Sequence, residues 1–382
     1  MYKINRIKIS GFRRLQDVDV QTRPFLTLIG ANGVGKTSFL DAWALLAASA
    51  LGDLNAALSR HGGLASLVTR DGRENLSFLV DMEIPGYAPL EYRLALDLRG
   101  TGYAISGESL SQEKSGYSQP FLHIDSSDGD IRYYETEENR LVRPDWEHNP
   151  LETSLSQVPK MFRQPEAARR MLGSATQYHA LDVGPKAPVK LPQPMKPALL
   201  PGAEGEDLVP YLYYLRESER SRFEAIVDAL RGAFPDFEEL NFPPVAAGML
   251  SMTWKDRNFT RPIYVHELSE GMLRFLWLVS LLQSPALSTI TMIDEPEVSL
   301  HPELLSLLAE LMREASMRTQ LIVATHSDRF VRFLKPSELL VFDMDEAGGT
   351  TATWADAMDL EEWLEEYSLD ELWRMGRAGG RS

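Results

Sequence analysis

A chain of 382 residues, 44% hydrophobic and 25% charged, is long enough for one large domain with an insertion or for two ordinary domains. It has no cysteine, which excludes disulfides, cysteine-ligated zinc and cysteine nucleophiles, and its formal net charge of −16 runs against a dedicated non-specific DNA binder. No apolar run reaches the roughly 18 residues that span a bilayer, and Met1–Ser10 has no apolar signal-peptide core, so a cytoplasmic protein without membrane contact is expected.

From the N-terminus, Ile4, Ile7 and Ile9 mark a short strand, and Phe25–Ile29 is an apolar strand ending at Gly30. The next stretch, Gly30-Ala31-Asn32-Gly33-Val34-Gly35-Lys36-Thr37, with Ser38 behind it, fits the phosphate-loop pattern G-x-x-x-x-G-K-[ST]. An Ala- and Leu-rich helix is predicted to follow over about Thr37–Ala50. Glycines let the backbone wrap a phosphate closely, and free N–H groups at the helix start point at the anion. Lys36 brings positive charge to the β- and γ-phosphates, and the Thr37 hydroxyl can ligate Mg²⁺. The four fixed positions recur by chance in about 1% of chains this long, and the flanking strand and helix are the context the motif requires. ATP or GTP with Mg²⁺ is therefore the expected ligand.

Strands are predicted from about Asn75 to Tyr134, with Tyr92, Leu94, Leu96 and Leu98 alternating against Arg93 and Asp97. Antiparallel hairpins attached to the first lobe follow from this. Between 136 and 250 the prolines 185, 188, 192, 194, 197 and 201 forbid a continuous helix. Glu217–Arg231 then reads as an amphipathic helix with Phe223, Ile226, Val227 and Leu230 on one face. Leu268-Ser269-Glu270-Gly271 opens an apolar helix, Met272–Leu282; Ser269 is an N-cap on the plain reading, and equally a γ-phosphate contact at a helix N-terminus. Thr289–Glu295 is an apolar strand ending in two carboxylates, with Pro296 stopping it. Asp294 suits the Mg²⁺ shell and Glu295 a general base. His326 follows another apolar strand, Gln320–Ala324, 31 residues after Glu295. In the tail, Leu360, Trp363, Leu364, Tyr367 and Trp373 predict one or two short amphipathic helices.

This order of motifs resembles the ABC-type ATPases, and the stretch Asp294-Glu295-Pro296-Glu297-Val298-Ser299-Leu300-His301-Pro302 resembles their RecF, SMC and OLD group rather than transporter subunits. Ile7–Arg13 is similar to the opening strand of that group. The strong motifs cover 1–50 and 260–345. The resemblance implies two heads joined head to tail around two ATP molecules. Lys36, Thr37, Asp294, Glu295 and His326 would act in cis, and Ser269, Glu270 and Gly271 in trans; Arg13 or Arg14 would reach the nucleotide. The chain departs from its relatives in having no long coiled coil, and the 56 residues after His326 are too few for a Toprim domain. Gln112, Gln119, Gln157 and Gln164 are all candidates for the glutamine loop.

The expected fold class is α/β: a P-loop NTPase with an ABC-type head, an antiparallel β subdomain and a helical or irregular insertion. The expected segments are 1–135 and 251–345 for the head, 136–250 for the insertion and 346–382 for the tail. The expected function is an Mg²⁺-dependent ATPase acting as an ATP-gated homodimer switch in DNA maintenance or phage defence. The alternatives are a RecF-like DNA-repair ATPase, for which Lys160, Arg163, Arg169 and Arg170 are a small basic cluster, and a regulator of a separate effector protein such as a nuclease or toxin.

Overall fold

Ile4, Ile7 and Ile9 lie on one buried face of the strand Lys3–Phe12, which pairs antiparallel with Leu15–Gln21 on one side and Asn75–Glu83 on the other. Each buried isoleucine meets a buried partner, Ile7 against Val20 and Val80, Ile9 against Val18 and Phe78. The ladder continues through Leu90–Arg99, Gly102–Gln112, Phe121–Ser126, Tyr133–Glu135 and Arg140–Val142, an eight-stranded antiparallel sheet. Leu90, Tyr92, Leu94 and Leu96 keep the predicted alternation and face Met82, Val80, Phe78 and Leu76. Leu98 departs from it: beyond a register shift at Ala95 and Leu96 it is only half-buried.

The structure is a computed structural model, and it describes residues 2–70, 74–113, 119–135, 140–346, 348–358 and 369–374. Two compact units divide the chain: residues 1–177 with 336–366 and 372–382, and residues 178–335 with 367–371. In the first unit, Phe25–Ile29 is buried at every position, the signature of a strand covered on both faces. It runs parallel to Leu339–Met344, which pairs antiparallel with Thr350–Trp354. The helix Lys36–Leu51 buries Phe39, Leu40, Trp43 and Leu46, and Phe39 meets Phe342 edge to face at 5.7 Å between ring centres.

The second unit carries the expected α/β alternation. Ile290–Asp294 and Gln320–Ala324 pair in parallel, with the helix Leu304–Ala315 between them in sequence. The helix Glu270–Leu282 is almost wholly apolar and buried beyond its first turn. Phe234 and Phe237 pack on Trp254, and Phe234 also packs on Phe275 of that helix.

One predicted helix differs at its start, and one helix was not predicted. The helix expected over Glu217–Arg231 starts at Arg220, because Glu219 leaves helical geometry (φ −133°, ψ 60°). The helix before it, Leu208–Ser218, tolerates Pro210 because a proline in the first turn displaces no intrahelical N–H bond. In the tail, Leu369–Arg374 is helical and Trp373 is buried, whereas Leu360, Trp363, Leu364 and Tyr367 lie outside the described residues. The proline-rich stretch holds only a 3-10 turn and the two-residue strand Gln193–Pro194, as expected. Among the described residues no helix is long and apolar enough to cross a membrane.

Candidate nucleotide site

The phosphate loop sits between the buried strand Phe25–Ile29 and the helix Lys36–Leu51, in the first unit. Gly30 has φ 145°, and a Cβ there would stand 2.2 Å from the Phe342 carbonyl oxygen, so both conformation and space demand glycine. Gly33 has φ 78° with open space around it, so only its conformation does. The helix begins after Gly35 with no side-chain cap, leaving its first N–H groups for an anion. Lys36 is 3% exposed, and its ammonium donates to the carbonyls of Gly30 at 2.7 Å and Ala31 at 3.0 Å. Thr37 and Asn32 are exposed, Ala31 and Ser38 half-buried, Val34 buried. Thr350, which sequence reasoning missed, lies under the loop: its hydroxyl donates to the Val34 carbonyl at 2.6 Å, with the Arg14 carbonyl at 3.1 Å.

Arg13 has φ 49°, and its guanidinium pairs with Asp41 of the phosphate-loop helix at 2.5 Å. Arg14 instead reaches the Met344 sulfur at 3.5 Å.

Asp294, Glu295, His326 and Ser269–Gly271 belong to the second unit. Asp294 closes its strand opposite Ala324. Glu295 then enters the left-handed region (φ 51°), its N–H donating to the Ala324 carbonyl at 2.9 Å. A left-handed glutamate before proline is strained, and such strain clusters where a side chain must be aimed. Here it aims Glu295 Oε1 to within 3.9 Å of His326 Nε2, both side chains being open to solvent. Two further residues join the group without having been foreseen. Glu297 accepts from the Thr325 hydroxyl at 2.5 Å and the His326 N–H at 3.3 Å, and burial pushes its carboxyl above the usual range. His179 Nδ1 lies 4.0 Å from Asp294 Oδ2, across a small cavity that Arg274 and Trp277 also line. No motif surrounds His179 in the sequence, and the short strand Thr176–Tyr178 ahead of it is seen only in the fold.

Ser269 caps the helix Glu270–Leu282 by accepting from the Met272 N–H at 3.3 Å. Ser269 and Glu270 are exposed. Gly271 lets the helix approach the loop after the acidic strand, since a Cβ there would meet the Ser299 carbonyl oxygen at 2.7 Å. The Ser299 hydroxyl lies 3.5 Å from Glu270 Oε2, and Arg274 reaches the Val298 carbonyl at 3.4 Å.

Of the glutamine-loop candidates, Gln112 and Gln157 are spent on local loops: Gln112 donates to the Ala88 carbonyl, and Gln157 to those of Asn149 and Glu152. In the basic cluster, Arg169 and Arg170 both pair with Glu166.

The hydroxyl of Thr37 and the carboxylate of Asp294 are hard oxygen donors, the kind Mg²⁺ takes alongside nucleotide phosphates. Thr37 is exposed on the first helical turn, and the Asp294 side chain keeps 17% exposure at a strand end. Both fit an ion that arrives with its nucleotide.

The model of the family described as "AAA domain, putative AbiEii toxin, Type IV TA system" matches residues 25–332. No curated protein matches. Among solved structures, the fold is similar to an Smc head bound to the C-winged helix domain of ScpA (15% identity, TM-score 0.55, covering 92% of this chain and 97% of that one). It is also similar to the Smc head domain with an extended coiled coil bound to the C-terminal domain of ScpA derived from Pyrococcus furiosus (13% identity, TM-score 0.52, covering 96% and 100%). The chain has the fold of an ABC-type ATPase head.

Proposed function

The chain belongs to the AAA domain family whose model spans residues 25–332, and from that premise we propose that it binds and hydrolyses MgATP and uses the cycle as a dimer switch. The observation that carries the hydrolytic half is the Glu295–His326 pair, aimed by a left-handed glutamate at the end of the acidic strand. Glu295 is the general base for the attacking water and His326 the group that meets the γ-phosphate. Lys36 and the loop N–H groups hold the phosphates, with Arg13 as a further nucleotide contact. Thr37 and Asp294 hold Mg²⁺, which when bound neutralises phosphate charge.

The exposed Ser269 and Glu270, at the start of a 13-residue helix, support the dimer half. That helix start presents a hydroxyl and N–H groups to a second copy's γ-phosphate. We assign the switch to DNA maintenance or phage defence, with a protein partner as its output. The Smc heads it is similar to are seen bound to ScpA domains. DNA is a weaker choice of partner, given the −16 charge and the pairing of Arg169 and Arg170 with Glu166.

Glu295→Gln is the direct test. The variant should bind ATP normally, release phosphate at least about 100-fold more slowly, and sediment as a dimer in MgATP. Wild-type phosphate release would remove Glu295 as the base, and a monomer at saturating ATP would remove the dimer.

A further inference from the structure

Glu297 stands two residues beyond the proposed base and follows Pro296, yet its side chain turns to the end of the neighbouring parallel strand. There its Oε1 accepts two hydrogen bonds, from the Thr325 hydroxyl at 2.5 Å and from the His326 N–H at 3.3 Å. Thr325 passes the constraint on: its oxygen accepts from the Ser327 N–H at 3.0 Å, and Ser327 caps the next helical turn by accepting from Phe330 at 3.2 Å. The backbone on both sides of His326 is thereby tied to one carboxyl group. The second oxygen, Oε2, is buried and has no hydrogen-bond partner among the described residues.

A buried carboxyl with an unpartnered oxygen is costly to keep, and an apolar side chain would fill such a place at lower cost. What an apolar residue cannot do is accept from Thr325 and His326 together. We propose that Glu297 is the positioning residue of the hydrolytic centre, holding the His326 loop so that the imidazole stays set against Glu295. In this role it works through His326 rather than on the reacting groups. Thr325 is its relay. This rests on the proposed ATPase activity for its kinetic consequence but not for its structural one.

A shift of about 1 Å in a group that meets the reacting phosphate is enough to cost about 100-fold in rate. The set-up comprises full-length wild type, Glu297→Gln, Glu297→Ala and Thr325→Val, each measured for ATP affinity, for kcat and KM, and for ring ¹⁵N signals of its seven histidines at one fixed pH. His326→Gln assigns the His326 signal. Glu297→Ala should keep the affinity for ATP, lose about 10- to 100-fold in kcat, and shift or broaden the His326 ring signals alone. Thr325→Val should do the same to a lesser degree. Glu297→Gln keeps an oxygen acceptor for both donors, so it should restore most of kcat and the wild-type His326 signals, although its NH₂ group, buried where Oε2 was, lowers the melting temperature.

The proposal is overturned if Glu297→Ala leaves the His326 signals unchanged, whatever happens to kcat, or if Glu297→Gln is as impaired as Glu297→Ala. Should Glu297→Ala fail to fold, Thr325→Val and Glu297→Gln decide the matter by the same signals. Should the wild type bind ATP without hydrolysing it, the ATPase reading fails while the histidine spectra still test the positioning.

Discussion

Thr350 donates its hydroxyl to the carbonyl of Val34 at 2.6 Å, joining a strand near the C-terminus to the middle of the phosphate loop across 316 residues of sequence. Its N–H holds the Arg14 carbonyl at 3.1 Å as well, so one 5% exposed residue fixes both the loop and the turn that carries Arg13. Thr350→Val keeps the shape and removes the donor. A buried carbonyl that loses its partner costs about 1–3 kcal/mol. The variant should therefore melt earlier and bind a fluorescent ATP analogue more weakly, with Thr350→Ser recovering both. Unchanged affinity in a destabilised Thr350→Val would mean the loop keeps its shape without this bond.

Lys36 separates stability from binding. Its buried ammonium donates to the carbonyls of Gly30 and Ala31, drawing the charge onto the loop's own backbone. Burying a cation costs several kcal/mol in desolvation, only partly offset by its acceptors. Lys36→Met fills the space without the charge. Nucleotide affinity should fall about 10- to 100-fold, the worth of a charge-assisted contact, while denaturant stability stays level or rises. A matching fall in stability would show that the ammonium is a structural tie rather than a reserved phosphate ligand.

The phosphate loop was legible because its glycines, Lys36 and Thr37 fall in one short run, with the left-handed Gly33 set by local conformation; the close approach of Gly30 to the Phe342 carbonyl was not legible. The acidic strand and the histidine strand were legible because each is a short apolar run with a candidate polar residue at or just beyond its end. What escaped depends on partners far away in sequence. Gly271 was read from a resemblance, but its physical reason is the Ser299 carbonyl 28 positions later. Thr350 carries no pattern of its own and Glu297 was read only as part of a family stretch; the folded strands bring them to Val34 and His326. The basic cluster was misleading because Glu166 stands in the same helical turn and takes both arginines. The helix Leu208–Ser218 was not predicted, and Pro210 is compatible with it because it sits in the first turn.

Gly271→Ala tests the contact between the Ser269 helix and the loop after Glu295. The new methyl would meet the backbone oxygen of Ser299 at 2.7 Å, and neither element can give way cheaply there. Overpacking of this kind costs about 1–3 kcal/mol. The melting temperature should fall, and kcat should fall with it at temperatures where the variant is fully folded, since the displaced segment begins at the strained Glu295. ATP affinity should be spared, because the substitution leaves the phosphate loop's own bonds, from Lys36 and Thr350, in place. Full kcat in a folded Gly271→Ala would show that this contact has no bearing on the proposed pair, Glu295 and His326.

Glu108 supplies a pH dependence whose sign follows from its surroundings. It is fully buried in the antiparallel sheet, where it accepts from the Tyr92 hydroxyl at 3.0 Å and from the backbone N–H groups of Ser154 at 2.5 Å and Leu155 at 2.8 Å. Burial pushes its carboxyl above the ordinary carboxylate range, against the pull of those donors. The folded state then holds the proton more tightly than the unfolded chain does. The stabilisation is complete below the unfolded-state pKa and is lost as the pH rises through the folded one. Glu108→Gln does not titrate at this position, so the difference between the two proteins isolates the group. As the pH rises above the ordinary carboxylate range of about 4, the unfolding free energy of the wild type should decline relative to Glu108→Gln in parallel denaturant melts. A difference that grows with pH instead would mean that the three donors outweigh burial and that Glu108 is ionised in the fold.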